Sequence, residues 1–103
     1  MLKNELEVKL YKAESLKEKP DQNSLGFGQY FTDHMFTMRW SKEQGWQEAA
    51  IKPYGNFSLD PAAMVFHYSQ EIFEGLKAYY GQNDSILMFR PLDNLKRFNT
   101  SAD

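Results

Sequence analysis

Two strand-like runs separated by a turn, within residues 30–52, constrain the possible fold most. The first run, YFTDHMFTMRW, is rich in aromatic residues and threonine, and its alternate positions share one face when the backbone is extended. This pattern predicts a strand over residues 34–40. The stretch Ser41–Trp46 contains Gly45 and predicts a hairpin turn, and residues 49–52 predict the return strand. We therefore expect an antiparallel sheet in this part of the chain.

The first 24 residues form a charged segment that we expect to hold one strand and a linker. Leu6, Val8 and Leu10 alternate with charged residues, as in a half-buried strand. A leucine spacing of four in the same segment also fits a helix, so both interpretations stay open. The following PDQNS run is typical of a turn or linker.

The spacing of apolar residues changes after residue 67. Ile72, Phe73 and Leu76 recur at intervals of three and four, which predicts a short helix over residues 68–76. The later predicted elements are strands over residues 77–80 and 86–89, a polar turn over residues 81–84 that joins them, and a helix that begins at Pro91. The whole chain is therefore expected to be α+β, with several strands and two late helices.

Composition excludes several classes of function. The net charge is −2 and the basic residues are dispersed, which argues against a nucleic-acid partner because phosphate backbones attract concentrated positive charge. The chain has no cysteine, so disulfides, thiol nucleophiles and thiolate metal sites are excluded. No apolar run reaches 18 residues and no signal peptide is recognisable. We expect a soluble cytoplasmic protein without a membrane partner.

No self-sufficient active site can be assembled from the residues by spacing. Ser69 lacks the flanking glycines of a nucleophile elbow. His34 and His67 are 33 residues apart without metal-ligand spacing, so each is interpreted as a structural hydrogen-bonding residue and no metal is expected. Glu71 and Glu74 are three residues apart, and a solvated or capping role is favoured over an acid–base pair.

Three sequence blocks resemble the branched-chain amino acid aminotransferases, which are fold-type IV pyridoxal-phosphate enzymes. The blocks, in chain order, are FTDHMF, HYSQEIFEGLKAYY and FRPLDNLKRFNTSA. The resemblance covers residues 25–102, and three blocks in the family's order are a more specific signal than any one. It implies that residues 25–103 are an incomplete small N-terminal domain of the fold-type IV aminotransferase fold. In that fold, helices pack on antiparallel strands.

The resemblance also implies roles for individual residues. The Ser-Ala pair four and five residues later selects Arg97 as the arginine that binds the cofactor phosphate. Phe31, Tyr68 and Phe73 would form an aromatic wall against a branched aliphatic side chain, and the Tyr68 hydroxyl could make a polar contact. Lys77 matches a basic position near the substrate carboxylate in some relatives, although a solvated lysine on a strand explains it equally well.

The implied reaction is transamination of leucine, isoleucine or valine with 2-oxoglutarate, with pyridoxal 5'-phosphate as the cofactor. The family's enzymes are homodimers, and the lysine that holds the cofactor covalently lies in a later domain. None of the lysines here matches its context, so no catalytic residue is assigned. The 103 residues are expected to be a fragment that is inactive alone and does not bind the cofactor stably.

Two other functions stay open. A D-amino acid aminotransferase or an aminodeoxychorismate lyase would have the same fold, although FTDHMF together with HYSQEIFEGLKAY favours the branched-chain group. A non-catalytic interaction module, which would associate through exposed aromatic residues, is the alternative from a different class.

Overall fold

The computed structural model describes residues 6–103, which form five strands and one α-helix. The strands are β1 (Lys9–Leu10), β2 (His34–Ser41), β3 (Gly45–Pro53), β4 (Ala78–Tyr80) and β5 (Ile86–Met88), and the helix is α1 (Pro91–Ala102). The expected α+β class is therefore confirmed. The chain divides into two compact units, residues 1–57 and residues 58–103. The boundary that we predicted after residue 24 stays a prediction.

The first unit is built on a three-stranded sheet with the strand order β1-β3-β2. Strands β2 and β3 form the predicted antiparallel hairpin, and the cross-strand partners include Phe36 with Ile51 and Trp40 with Trp46. The return strand begins at Gly45, earlier than the predicted residue 49. In the described part of the N-terminal segment, Lys9–Leu10 form the strand β1, which is only two residues long. Leu2, with which the helical spacing begins, lies outside the described residues. Strand β1 pairs with β3 in parallel.

A β-bulge interrupts the β2–β3 hairpin. The register shifts between Thr37, which pairs with Ala50, and Arg39, which pairs with Gln47. Two residues of β3 therefore lie opposite one residue of β2. Glu48, in the bulge, has a φ of 54°. A left-handed backbone at one residue is a common way to accommodate the extra position in a bulge.

Few side chains in the described residues are removed from water. Ala49, at 3% exposure, is the only buried residue within residues 6–103. The large apolar side chains retain much more of their surface, and Phe27 is 99% exposed. Burial of apolar surface is the main stabilising contribution to folding. Because little apolar surface is buried here, local hydrogen bonds and turn geometry supply a larger share of the stability of each unit than usual.

The second unit contains a short hairpin that matches the prediction for residues 77–89. Strands β4 and β5 are antiparallel, with Ala78 opposite Met88 and Tyr80 opposite Ile86. The connecting 3-10 turn, Gln82–Asp84, is closed by a 2.8 Å hydrogen bond from the Gly81 amide to the Ser85 carbonyl. A Cβ at position 81 would overlap Ser85 Oγ and Leu87 Cδ1, so these two side chains would have to move to admit it.

The helix predicted over residues 68–76 is wrong. This segment has no regular structure, and Tyr68 and Ser69 have left-handed φ values of 59° and 49°. Short helices are marginal in water unless tertiary packing covers their apolar face. Ile72 and Leu76 remain 40% and 49% exposed, so the apolar spacing in this segment is not matched by a packed helical face.

Helix α1 begins at Pro91, as predicted. Proline suits the first helical position because its fixed φ is helical and its missing N–H has no helical partner there. Arg90 precedes it in a left-handed conformation and forms a 2.7 Å ion pair with Asp93 in the first turn. None of the helix residues is buried.

Candidate functional site

Arg97 on helix α1 forms a two-point ion pair with Glu74. The Arg97 Nε–H donates to Glu74 Oε2 at 2.6 Å, and Nη2 donates to Oε1 of the same carboxylate. This parallel, bidentate arrangement is the strongest form of arginine–carboxylate hydrogen bonding and fixes the plane of the guanidinium. It joins the irregular segment before β4 to the middle of α1.

Two further groups hold the Glu74 carboxylate. The Gly75 amide donates to Oε1 at 3.1 Å, and Asn94 Nδ2 donates to the same oxygen at 3.2 Å. Asn94 also donates to the Gly75 carbonyl at 2.9 Å. Asn94 and Arg97 are three residues apart, so they lie on the same face of α1. We call Glu74, Gly75, Asn94 and Arg97 the Glu74 cluster.

The two charged members of the Glu74 cluster differ in exposure. The Glu74 side chain is 7% exposed, whereas that of Arg97 is 71% exposed. The hydrogen bond from Arg97 is the main reason that the pKa of Glu74 falls from 4.5 to about 2; the Asn94 and Gly75 bonds add to this, and burial opposes it. The same pairing raises the pKa of Arg97. Glu74 is therefore ionised at neutral pH. Of the solvated or capping role that we expected for it, the solvated part is wrong, because only 7% of its side chain is exposed.

The pairing with Glu74 uses only part of the donor capacity of Arg97. A guanidinium carries five N–H donors, and Glu74 occupies the edge formed by Nε and Nη2. Within residues 6–103, no hydrogen bond is recorded for Nη1. The edge formed by Nη1 and the second N–H of Nη2 has the fork geometry that suits a phosphate or a carboxylate.

The other predicted site residues of the second unit are exposed. Tyr68 and Phe73 are 88% and 89% exposed, and Lys77 is also exposed. Phe73 directly precedes Glu74, so one member of the predicted aromatic wall adjoins the Glu74 cluster along the chain. No aromatic stacking is recorded for either ring within residues 6–103.

Phe31 lies in the first unit and lines a pocket of about 500 Å³. Its ring stacks on that of Tyr54, with 5.4 Å between the ring centroids, and Lys17 Nζ lies 5.1 Å from the Tyr54 centroid. Asp33, which also lines the pocket, connects two other lining residues. Its carboxylate accepts a hydrogen bond from the Lys17 amide at 2.8 Å, and its carbonyl accepts one from the Tyr54 amide at 2.9 Å.

Comparison with known proteins relates the chain to one group of enzymes. It is 50% identical over all 103 residues to the branched-chain-amino-acid aminotransferase 2 of Bacillus subtilis. It is 57% identical over 86 residues to the mitochondrial branched-chain-amino-acid aminotransferase of Saccharomyces cerevisiae, and 54% identical over 87 residues to the cytosolic one of Mus musculus. These two matches each cover 84% of the chain. Along its whole length, the chain is therefore similar to proteins that are named branched-chain-amino-acid aminotransferases.

The chain spans only about a quarter of the length of these aminotransferases. The matched part is 28% of the Bacillus protein and 22% of the yeast and mouse proteins. No family model matches the chain. The aminotransferase relatives are named for different compartments, so the cytoplasmic location stays a prediction. None of the helices that residues 6–103 form is long and apolar enough to cross a membrane.

Both histidines make backbone hydrogen bonds. The Ala13 amide donates to His34 Nε2, and His67 Nε2 hydrogen-bonds the Pro61 carbonyl, each at 2.9 Å. These contacts support the structural roles that we inferred for them. Within residues 6–103, no group of three or more histidine, aspartate or glutamate side chains is arranged to hold a metal ion.

Sequence reasoning selected Arg97 but missed the residues that hold it. The incorrect helix over residues 68–76 put Glu74 on a solvated face, and Asn94 was given no role. The i, i+3 spacing of Asn94 and Arg97 was the only signal in the sequence that could have grouped two members of the Glu74 cluster. Nothing in the sequence indicated that Glu74, 20 residues before Asn94, approaches the same helix face.

Proposed function

We propose that the chain is part of a pyridoxal-phosphate-dependent transaminase that transfers the amino group of leucine, isoleucine or valine to 2-oxoglutarate. The observation that carries this proposal is the 50% identity along all 103 residues to an aminotransferase named for branched-chain amino acids. Because the chain spans about a quarter of that relative, we propose the activity for the whole protein that contains these residues.

Arg97 is the residue proposed to bind the cofactor phosphate. Its fit rests on the donor edge at Nη1 and Nη2, on its 71% exposure and on a charge that no ordinary pH removes. A phosphate monoester carries close to two negative charges at neutral pH and can accept two parallel hydrogen bonds from that edge. Pyridoxal phosphate, when bound, supplies the electron sink for amino-group transfer.

The exposed aromatic residues are proposed to contact the substrate side chain. Phe31 in the first unit, and Tyr68 and Phe73 in the second, each offer apolar surface to a branched aliphatic group. Such contacts discriminate by only about 1–3 kcal/mol per methylene, so they would select this class of amino acid rather than one member. Lys77 is proposed to attract the substrate carboxylate from its exposed position.

We also infer that the 103 residues alone do not catalyse transamination. None of their lysines lies in a context that matches the cofactor-binding lysine of the family, so the chemistry depends on residues outside this chain. A homodimeric assembly and a cytoplasmic location belong to the same proposal.

The proposal is tested with the whole protein. Amino-group transfer from L-leucine to 2-oxoglutarate is the expected activity, and turnover of D-alanine or aminodeoxychorismate instead would overturn the assignment of substrate. Arg97→Ala should release pyridoxal phosphate more readily during dialysis. Lys96→Ala, which removes the same charge from the adjacent position on α1, should retain it. Equal retention by both variants would refute the role of Arg97.

A further inference from the structure

The geometry of the Glu74 cluster separates the two edges of the Arg97 guanidinium. One edge, formed by Nε and Nη2, is held by both carboxylate oxygens of Glu74. Glu74 is itself held by the Gly75 amide at 3.1 Å and by Asn94 Nδ2 at 3.2 Å. The guanidinium plane is therefore set by a chain of contacts that begins at the backbone. The edge that includes Nη1 has no recorded partner within residues 6–103.

We propose that Glu74 is a positioning residue for phosphate binding. It holds Arg97 so that the Nη1 edge faces a phosphate monoester, the cofactor's phosphate in the function proposed above. This inference rests on the proposed phosphate-binding role of Arg97. The inference adds that the Glu74 carboxylate, which contacts Arg97, increases the affinity of the protein for the phosphate, although Glu74 and the phosphate are both negatively charged.

The inference can be tested by whether phosphate affinity rises or falls when Glu74 loses its charge. Simple electrostatics predicts that removing the negative charge of Glu74 should strengthen phosphate binding, because the Arg97 charge is no longer compensated. Positioning predicts the opposite. An arginine without a fixed partner has many rotamers, and their loss on binding reduces affinity. Losing the outer hydrogen-bond partner of a ligand side chain costs about tenfold or more at metal sites, and we expect a similar factor here.

The experiment uses the whole protein freed of cofactor, with dissociation constants measured for pyridoxal phosphate and for pyridoxal, which lacks the phosphate. Glu74→Gln keeps the size of the side chain but removes its charge and one acceptor. We expect it to weaken binding of pyridoxal phosphate about tenfold and to leave pyridoxal unchanged. Glu71→Gln, the matched control, removes an exposed carboxylate three residues earlier and should alter neither constant by more than about twofold.

The outcomes separate this inference from the proposed function. If Arg97→Ala leaves the preference for pyridoxal phosphate over pyridoxal intact, the phosphate-binding role of Arg97 and this inference both fail. If Arg97→Ala abolishes the preference but Glu74→Gln maintains or strengthens it, only the positioning role fails. The positioning role also fails if Glu71→Gln weakens binding as much as Glu74→Gln, because the effect would then follow net charge.

A measurement on the unmodified protein tests the same inference and does not require any variant to fold. In an NMR spectrum of the cofactor-free protein, the Arg97 Nε–H should exchange with water more slowly than that of Arg39, which contacts its carboxylate partner through Nη1. Equal exchange rates would overturn the positioning role. In folded Glu74→Gln, the Arg97 Nε–H should exchange at the faster rate, and unchanged protection would also contradict the inference.

Discussion

The low pKa of Glu74 leads to a prediction that can be made in numbers. Its value of about 2, against an ordinary 4.5, depends mainly on the hydrogen bond from Arg97. At pH 3, a carboxyl group with a pKa of 2 is about nine-tenths ionised, whereas one with a pKa of 4.5 is about 3% ionised. Replacing Arg97 by Gln should therefore return most of the Glu74 side chains to the protonated form at this pH.

The sign of the linked change in stability follows from the same values. The pKa of Glu74 is lower in the folded protein than in the unfolded chain, so the ionised group stabilises the fold. That contribution is fully present above the unfolded pKa of about 4.5 and is lost as the pH falls through the folded pKa of about 2. The Arg97→Gln variant should therefore lose less of its stability over this range of pH than the unmodified protein.

The assay is a carbon-detected NMR titration of the Glu74 carboxyl group, with the denatured chain as the reference. Lys96→Gln is the matched control, because it removes a positive charge from the neighbouring position on α1 and preserves the Arg97 contact. We expect Glu74 to titrate near its low value in this control. A Glu74 pKa that is the same in Arg97→Gln and in the unmodified protein would refute the reasoning.

Two further predictions concern the turns. Gly81→Ala should destabilise the second unit by about 0.5–1.5 kcal/mol, because the added methyl group displaces the Leu87 side chain and the Ser85 hydroxyl, which donates to the Gln82 carbonyl; unchanged thermal unfolding would contradict this. Glu48→Gly should stabilise the first unit by up to about 1 kcal/mol, because it relieves a left-handed φ of 54° and loses only an exposed ion pair with Arg39. Glu48→Ala, which loses the same pair but keeps the strained backbone, should be less stable than Glu48→Gly in chemical denaturation, and the reverse order would refute the argument.

The hairpins and helix α1 could be predicted because their signals are local. Strands β2 and β3 have alternating side chains with Gly45 between them, and α1 begins at a proline that favours the first helical position. The helix over residues 68–76 was wrong because apolar spacing shows only that a helix would have an apolar face. It does not show that another element is present to cover that face.

Of the candidate site, the sequence predicted single residues that lie in a recognisable motif, but not the contacts between them. Arg97 was selected because its motif resembles a family block, and that role remains a proposal. Its contact with Glu74 could not be predicted, because it joins an irregular segment to a helix 23 residues later and depends on the conformation of both. Partners distant in sequence are set by tertiary structure, which spacing patterns do not encode.

The bulge at Glu48 also determines which way the side chains of β3 point. Alternate residues of a regular strand face the same side, but one extra residue reverses this order beyond it. Gly45 and Gln47 are the less exposed residues before the bulge, whereas Ala50 and Lys52 are the less exposed ones after it. Deleting Glu48 would restore a regular ladder but turn one half of the strand over, so each side of the sheet would present a different set of side chains.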